Sequence, residues 1–366
     1  MSHIVIDARI INSSTGRYIE RLLTYLEKID KTNNYTILVP SVDIYCWKPA
    51  NKNFRVMPAD FKNYSISEQL GFNKFLNSLQ ADLVHFCMPQ QPVLYRKNKV
   101  TTVHDLILFN TYNSDKNWLL FHIKQAIGRL VFKSVGKRST VVITPSQYTK
   151  RDFVKFARIP EDKARVIYDA ADKVGVKSRT YKLPFKKYLL YVGSQTDYKN
   201  IKRLITAHQK VRDTYDRNLG LVLVGRKSYY TEKHEEFTNK IGAEGVLFTG
   251  FLPDDQLAYL YKNAAAYVFP SLMEGFGLPG LEAMQFGTPV ISSYATCLPE
   301  IYGGSAIYFN PTDPDDMADR IISVLSDKKL LKDLSKRSKE RVKDFSWERC
   351  ARETHQAYLD ALGQKK

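Results

Sequence analysis

The segment that most limits what this chain can become runs from Ala266 to Ile291: Ala-Tyr-Val-Phe-Pro-Ser-Leu-Met-Glu274-Gly-Phe-Gly-Leu-Pro279-Gly-Leu-Glu282-Ala-Met-Gln-Phe-Gly287-Thr-Pro-Val-Ile. Its apolar runs at 266–269 and 289–291 have the length and continuity of buried strands. Pro279 suits the first turn of a helix and Gly287 suits its end, so the pattern predicts strand, loop, short helix, strand. The loop carries Gly275 and Gly277 beside Phe276 and Leu278, and glycines at a helix N-terminus let backbone N–H groups approach an anion. One carboxylate, Glu274, falls in the loop and a second, Glu282, in the helix. A diphosphate on the helix end, flanked by acceptors for sugar hydroxyls, describes a nucleotide sugar better than a bare phosphate. In the plainer alternative, Glu274 complements the helix dipole and Glu282 is a solvated helix residue.

A chain of 366 residues, 44% of them hydrophobic, is long for one core and predicts two globular domains. No apolar stretch reaches the length of a membrane span, and Met1-Ser-His-Ile-Val-Ile-Asp7 enters a strand without a basic-then-apolar leader, so a cytoplasmic location is expected. Cys46, Cys87, Cys297 and Cys350 stand far apart without metal-type pairing and read as reduced thiols. The formal net charge of +17 calls for an acidic partner: anionic lipid, a phosphorylated substrate or nucleic acid. No basic-aromatic recognition motif accompanies the charge, so nucleic acid is not expected.

Further apolar runs at 4–8, 35–40, 82–86, 100–104 and 141–144 alternate with helical patterns, as in a doubly wound parallel sheet. In such sheets ligands bind beyond the carboxyl ends of the strands. Asp7 and the pair His104-Asp105 sit at such ends; Asp7 either bounds a site or caps its loop. The small-residue loop 12–16, ending in Gly16, precedes a helix with Ile19, Leu22, Leu23, Leu26 and Ile29 on one face. Residues 119–138 predict an amphipathic helix with Ile123, Ile127, Leu130, Val131 and Val135 toward one side and Arg129, Lys133 and Lys137 along another. That helix is either a core helix with a solvated charged face or one that lies on an anionic membrane.

The second half restarts with a strand at 188–192 ending in Gly193-Ser194, then Lys199-Asn200 at the opening of a helix, where a lysine faces a phosphate readily. A strand at 221–225 ends at Arg226 and Lys227, and the segment 246–253 includes Phe251 and Leu252. No acidic pair of the Asp-X-Asp kind stands at a strand end in this half, and no metal is expected.

Two glutamates spaced as Glu274 and Glu282 within Pro-Ser-Leu-Met-Glu-Gly-Phe-Gly-Leu-Pro resemble the E-X7-E signature of retaining glycosyltransferases, in the wording of glycosyltransferase family 4. The resemblance runs from the first strand to the final helix. It implies an α/β chain of the GT-B class, two Rossmann-like doubly wound domains facing across a cleft. The implied boundaries are an acceptor domain at 1–172, a linker at 173–185, a nucleotide-sugar domain at 186–345, and a terminal helix at 346–366 that returns to the first domain, with Trp347 as a packing residue.

By the same resemblance, Glu282 holds the ribose, Glu274 the sugar hydroxyls, and Lys199 with the backbone of 275–278 the diphosphate. His104 lies near the anomeric carbon, Gly16 belongs to a glycine loop at the cleft, and Phe251 and Leu252 lie beside the base. This chain has Ser14, Ser194 and Tyr198 where relatives carry glycine, arginine and arginine, and Arg226 or Lys227 is placed to supply a missing cation. The expected activity is transfer of a hexose, mannose preferred, from a nucleoside diphosphate sugar to a saccharide or lipid-linked acceptor in surface-polysaccharide assembly at the inner membrane face. No cofactor is expected; GDP-mannose is the preferred donor and a UDP-sugar the alternative. Without a carboxylate nucleophile on the sugar's far face, same-face attack is favoured. A nucleotide-sugar-binding scaffold without turnover is the rival reading.

Overall fold

Strands that are apolar on both faces must be covered on both faces, and that need shapes both halves of this chain. The computed structural model describes residues 1–13, 15–111, 118–172 and 177–364. Ser14 and the stretch 173–176 of the expected linker lie outside the described residues. The chain divides into two units, one of Met1–Phe109, His122–Asp169 and Ser346–Lys366, the other of Asn110–Phe121 and Ala170–Phe345.

The first unit holds a seven-stranded parallel sheet of β1 (His3–Asp7), β2 (Asn34–Val39), β3 (Phe54–Pro58), β4 (Leu83–Phe86), β5 (Lys99–Thr102), β6 (Val141–Thr144) and β7 (Ala164–Val166). Their order is β3-β2-β1-β4-β5-β6-β7, so the direction of winding reverses between β1 and β4. Register is set by the buried runs, with Ile4 opposite both Tyr35 and Leu83. The second unit has β8 (Tyr188–Val192), β9 (Gly220–Val224), β10 (Val246–Gly250), β11 (Ala266–Phe269), β12 (Val290–Ser293) and β13 (Ala306–Phe309). Here the order is β10-β9-β8-β11-β12-β13, all parallel, with the reversal between β8 and β11.

Five helices position the candidate residues or cover them. In the first unit α1 (Gly16–Ile29) buries Ile19, Leu22, Leu23 and Leu26 as its periodicity predicts. The long helix α2 spans Trp118–Arg138, and in the second unit α3 (Ile201–Thr214) follows β8 and α4 (Leu278–Gln285) follows β11. Finally α5 (Trp347–Ala361) packs against α1 within the first unit. Trp347 is buried there, its ring 6.4 Å from that of Tyr18, in the packing role expected of it.

Helix α2 corrects the sequence reading. Val131 and Val135 enter a core with Phe109, Phe153 and Ala157, whereas Ile123, Ile127 and Leu130 stand 48%, 56% and 70% exposed. The apolar residues expected on one face therefore occupy two. Arg129, expected along the cationic side, is exposed but not unattached: its guanidinium lies 5.3 Å from the Phe109 ring centroid and donates to the Phe109 carbonyl at 3.3 Å.

Asp7 also resolves. Its carboxylate accepts from Arg9 at 2.9 Å through both oxygens, and Arg9 reaches on to Glu68 at 2.9 Å and stacks over Phe72 at 3.8 Å. Glu68 accepts in addition from Gln90 and from the Tyr64 amide. The side chains of Asp7, Arg9, Glu68 and Gln90 are all buried, so the cluster stitches the loops after β1, β3 and β4 together. Removing one member leaves an uncompensated charge in a place without water. Glu68→Ala is expected to lower the unfolding free energy by about 3 kcal/mol or more, measured by urea denaturation; a loss under about 1 kcal/mol would show the cluster to be solvated.

Candidate active site

The reversal between β8 and β11 opens the sheet of the second unit at its carboxyl end, and the two loops leaving those strands carry most of the candidate residues. They are tied directly to each other: the Leu272 amide donates to the Tyr198 carbonyl at 2.8 Å, and Asn200 Nδ2 donates to the Pro270 carbonyl at 3.0 Å. Asn200 adopts a left-handed conformation (φ 65°) as the residue that opens α3. That turn brings Lys199 toward the β11 loop, where its Nζ lies 2.5 Å from Glu274 Oε1.

The two side chains are only 12% and 10% exposed. Burial alone would push the Lys199 ammonium below the ordinary amine range, but the Glu274 carboxylate outweighs burial and holds it above. Aromatic faces complete the cage, with Nζ 5.1 Å from the Tyr198 ring centroid and 5.5 Å from that of Phe269. Tyr198, at the position where the family resemblance implied a second cation, thus contributes a π-face to Lys199.

Glu274 is fixed at its backbone as well. Its amide donates to Thr296 Oγ1 at 3.0 Å, and Cys297 Sγ donates to its carbonyl at 3.2 Å. Thr296 holds φ at 51°, a conformation unusual for a β-branched residue. Gly277 follows as the residue capping α4, at φ 99°. A side chain there would be strained and would lie 2.5 Å from the Tyr302 hydroxyl, which donates to the Gly277 carbonyl at 2.6 Å. Gly275, Phe276 and Gly277 are buried and Leu278 is half-buried at the start of α4, with Phe276 edge-on to Phe345 at 5.7 Å. Glu282 is 5% exposed and accepts from the Tyr261 hydroxyl at 3.1 Å, so it is a buried, oriented carboxylate rather than a solvated helix residue.

The loop after β8 begins with Gly193 and Ser194; the Ser194 carbonyl accepts from the Tyr191 hydroxyl at 2.5 Å. Behind it, Gln195 Oε1 and Thr196 Oγ1 and, in the β11 loop, Ser271 Oγ are buried without a hydrogen-bond partner. Each is a polar group that a ligand seated in these paired loops could satisfy. Of the pair expected beside a base, Leu252 is 7% exposed and Phe251 66%; the Arg226 guanidinium stands 5.6 Å from the Phe251 ring centroid.

His104 and Gly16 belong to the first unit. His104 follows β5, and its Nε2 lies 3.0 Å from the Cys87 carbonyl in the loop after β4. A β-carbon on Gly16 would fall 1.7 Å from the Ile11 carbonyl, so the close approach that demands glycine is to the chain's own backbone. Among the described residues no group of His, Cys, Asp and Glu is arranged to hold a metal ion.

Sequence reasoning missed Thr296, Tyr261 and Gln195, and named Asn200 only as the residue after Lys199. Thr296 and Tyr261 hold Glu274 and Glu282 by hydrogen bonds from other segments, Asn200 ties the β8 loop to the Pro270 and Pro311 carbonyls, and the Gln195 carbonyl lies 2.9 Å from His234 Nε2. The one local signal was Asn200 after Lys199, since asparagine tolerates the left-handed turn.

Family comparisons agree with this construction. A model of Glycosyltransferase Family 4 matches residues 16–173, and a model described as Glycosyl transferases group 1 matches residues 179–341. O-antigen chain mannosyltransferase B of Escherichia coli is 29% identical over 272 residues, which span 71% of this chain and 69% of that protein. O-antigen chain mannosyltransferase RfbU of Salmonella typhimurium is 30% identical over 227 residues, 62% of this chain and 61% of the relative. Among solved structures, HepE of Anabaena in complex with UDP and glucose superposes with a TM-score of 0.75 at 15% identity, over 98% of this chain and all of that one. With two parallel sheets of Rossmann-like order, each matched by its own half of the family, the chain belongs to the family 4 glycosyltransferases of GT-B fold.

Proposed function

We propose that this glycosyltransferase moves a mannosyl residue, with retention, from a nucleoside diphosphate sugar to a hydroxyl of a lipid-linked saccharide in surface-polysaccharide assembly. GDP-mannose is the preferred donor in this reading, with a UDP-sugar as the alternative. The observation that carries it is the buried Lys199–Glu274 pair at the open end of β8 and β11, beside the N-terminus of α4. A lysine held charged there can meet the diphosphate as it gains negative charge, and Glu274, released from the lysine, can accept from the sugar hydroxyls. The α4 N–H groups supply further donors to the phosphates, Glu282 accepts from the ribose, and Phe251 with Arg226 offers the base an exposed platform. The kinship to O-antigen mannosyltransferases supports the choice of sugar and of pathway.

The same reading sets the enzyme against an anionic membrane face. Ile123, Ile127 and Leu130 form one exposed stripe along α2, with exposed Lys124, Lys133 and Lys137 beside it. Apolar side chains entering the acyl boundary between lysines at headgroup level would hold the chain near a lipid-linked acceptor. No helix among the described residues is long and apolar enough to cross a membrane.

The donor is tested by thermal shift with GDP, UDP, ADP and their sugars; GDP and GDP-mannose should raise the melting temperature most, and a response confined to UDP compounds would reverse the choice. In a mannosyl-transfer assay Lys199→Ala should cost on the order of 10²-fold in rate, and near-native turnover would remove the lysine from the reaction. Glu282→Ala is expected to weaken GDP-mannose binding about tenfold, the loss of one hydrogen bond to a charged acceptor, whereas unchanged affinity in calorimetry would contradict its ribose role. On vesicles containing anionic lipid, replacing Ile123, Ile127 and Leu130 together by serine should reduce cosedimentation about tenfold or more, with intact binding counting against the stripe.

A further inference from the structure

The imidazole of His104 is held by a hydrogen bond at one ring atom, Nε2 to the Cys87 carbonyl at 3.0 Å. A carbonyl only accepts, so Nε2 carries the proton and Nδ1 is left as the bare lone pair. Burial pushes the ring's pKa down to about 4, which keeps it neutral near pH 7. One hydrogen bond at one ring atom leaves the plane of the ring poorly determined. The second constraint comes from Tyr18 of α1, whose ring stands edge-on to His104 with centroids 4.8 Å apart and planes at 80°.

Tyr18 is itself tethered. Its hydroxyl lies 3.0 Å from Thr102 Oγ1 at the end of β5, which lies 2.9 Å from His85 Nε2 of β4. On its other side, His85 Nδ1 meets the Tyr358 hydroxyl of α5 at 2.6 Å. Tyr18, Thr102, His85 and Tyr358 are all buried, between 0% and 4% exposed. Burial, with His104 nearby, drives the His85 pKa down to about 3, so this link is a neutral donor-acceptor. A buried tyrosine needs only one partner for its hydroxyl. This one joins a chain that spans two strands and reaches the terminal helix, and the end of the chain is the ring that touches His104.

We propose that Tyr18 is a positioning residue for His104. Anchored through Thr102 and His85 by Tyr358, its ring fixes the plane of the imidazole, so that Nε2–H stays on the Cys87 carbonyl and Nδ1 stays bare. The consequence for turnover rests on the reading of His104 as a group beside the reacting sugar. The effect on the ring itself does not.

The test uses the full chain with 15N-labelled histidine and long-range 1H–15N correlation, the His104 signal being assigned by its loss in His104→Gln. The same samples are assayed for mannosyl transfer. In the native protein His104 should appear as a single Nε2–H tautomer. In Tyr18→Leu the tautomers should mix and the titration midpoint should move toward the ordinary value of about 6.5, with kcat falling at least about tenfold and the donor KM changing less than about twofold. Tyr18→Phe and Tyr358→Phe delete only hydroxyls and keep the test open should Tyr18→Leu not fold. Each should broaden the His104 signals and lower kcat about threefold at constant KM. A native tautomer and midpoint in every folded variant overturns the proposal. If His104→Gln retains native turnover, the role of His104 in the reaction fails, and the tautomer readout alone then decides whether Tyr18 positions it.

Discussion

A lysine and a glutamate that meet at 2.5 Å while nearly excluded from water are expensive to keep, and the second unit is arranged around keeping them. Taking both charges out of water costs several kcal/mol per ion, which their attraction recovers only with good geometry and further hydrogen bonds. Here the glutamate's backbone is held by Thr296 and Cys297, and the lysine's loop by Asn200 and Tyr198. An apolar pair would fill the space at less cost. A glycosyltransferase has a use for the arrangement, because a ligand with an anionic diphosphate and neighbouring hydroxyls can separate the ions and satisfy each of them.

The topology explains why such a pair forms at this point. In both sheets the winding reverses next to the first strand of the unit, and loops that would otherwise lie under helices are left open at the carboxyl edge. In the second unit the opening displays Lys199, Glu274 and the start of α4. In the first it displays the loops after β1, β4 and β5, which the Asp7–Arg9–Glu68 cluster and the Tyr18 chain make rigid. Buried charge in one place and buried neutral hydrogen bonds in the other serve the same end: loops at the open edge are held by side chains where the sheet cannot hold them.

Much of this was legible in the residues. The strand-loop-helix-strand reading of 266–291 matches β11, α4 and β12 closely, because Pro279 and Gly287 mark the helix ends by their backbone geometry alone. Strands β3, β7, β10 and β13 escaped notice. All four lie at sheet edges, where one side needs no partner, and a sequence such as Phe-Arg-Val-Met-Pro is not a continuous apolar run. Helix α2 was recognised but its faces were not, since Val131 and Leu130 differ little in hydrophobicity and only tertiary packing decides which enters the core. The supports of the site were hidden for a related reason: Tyr261 to Glu282 and Thr296 to Glu274 are single contacts between segments distant in sequence, 21 and 22 residues apart, which no local period announces.

Whether the Lys199–Glu274 pair exists for the donor or for the fold is decided by a double-mutant cycle with Lys199→Met and Glu274→Gln, measured once by urea unfolding and once by calorimetric binding of GDP. A donor-binding pair predicts that Lys199→Met weakens GDP binding about tenfold or more, while the double variant unfolds at a free energy equal to or above the native value. Native GDP affinity in Lys199→Met, together with a double variant several kcal/mol less stable, would show the pair to be a structural element and contradict the role assigned to it.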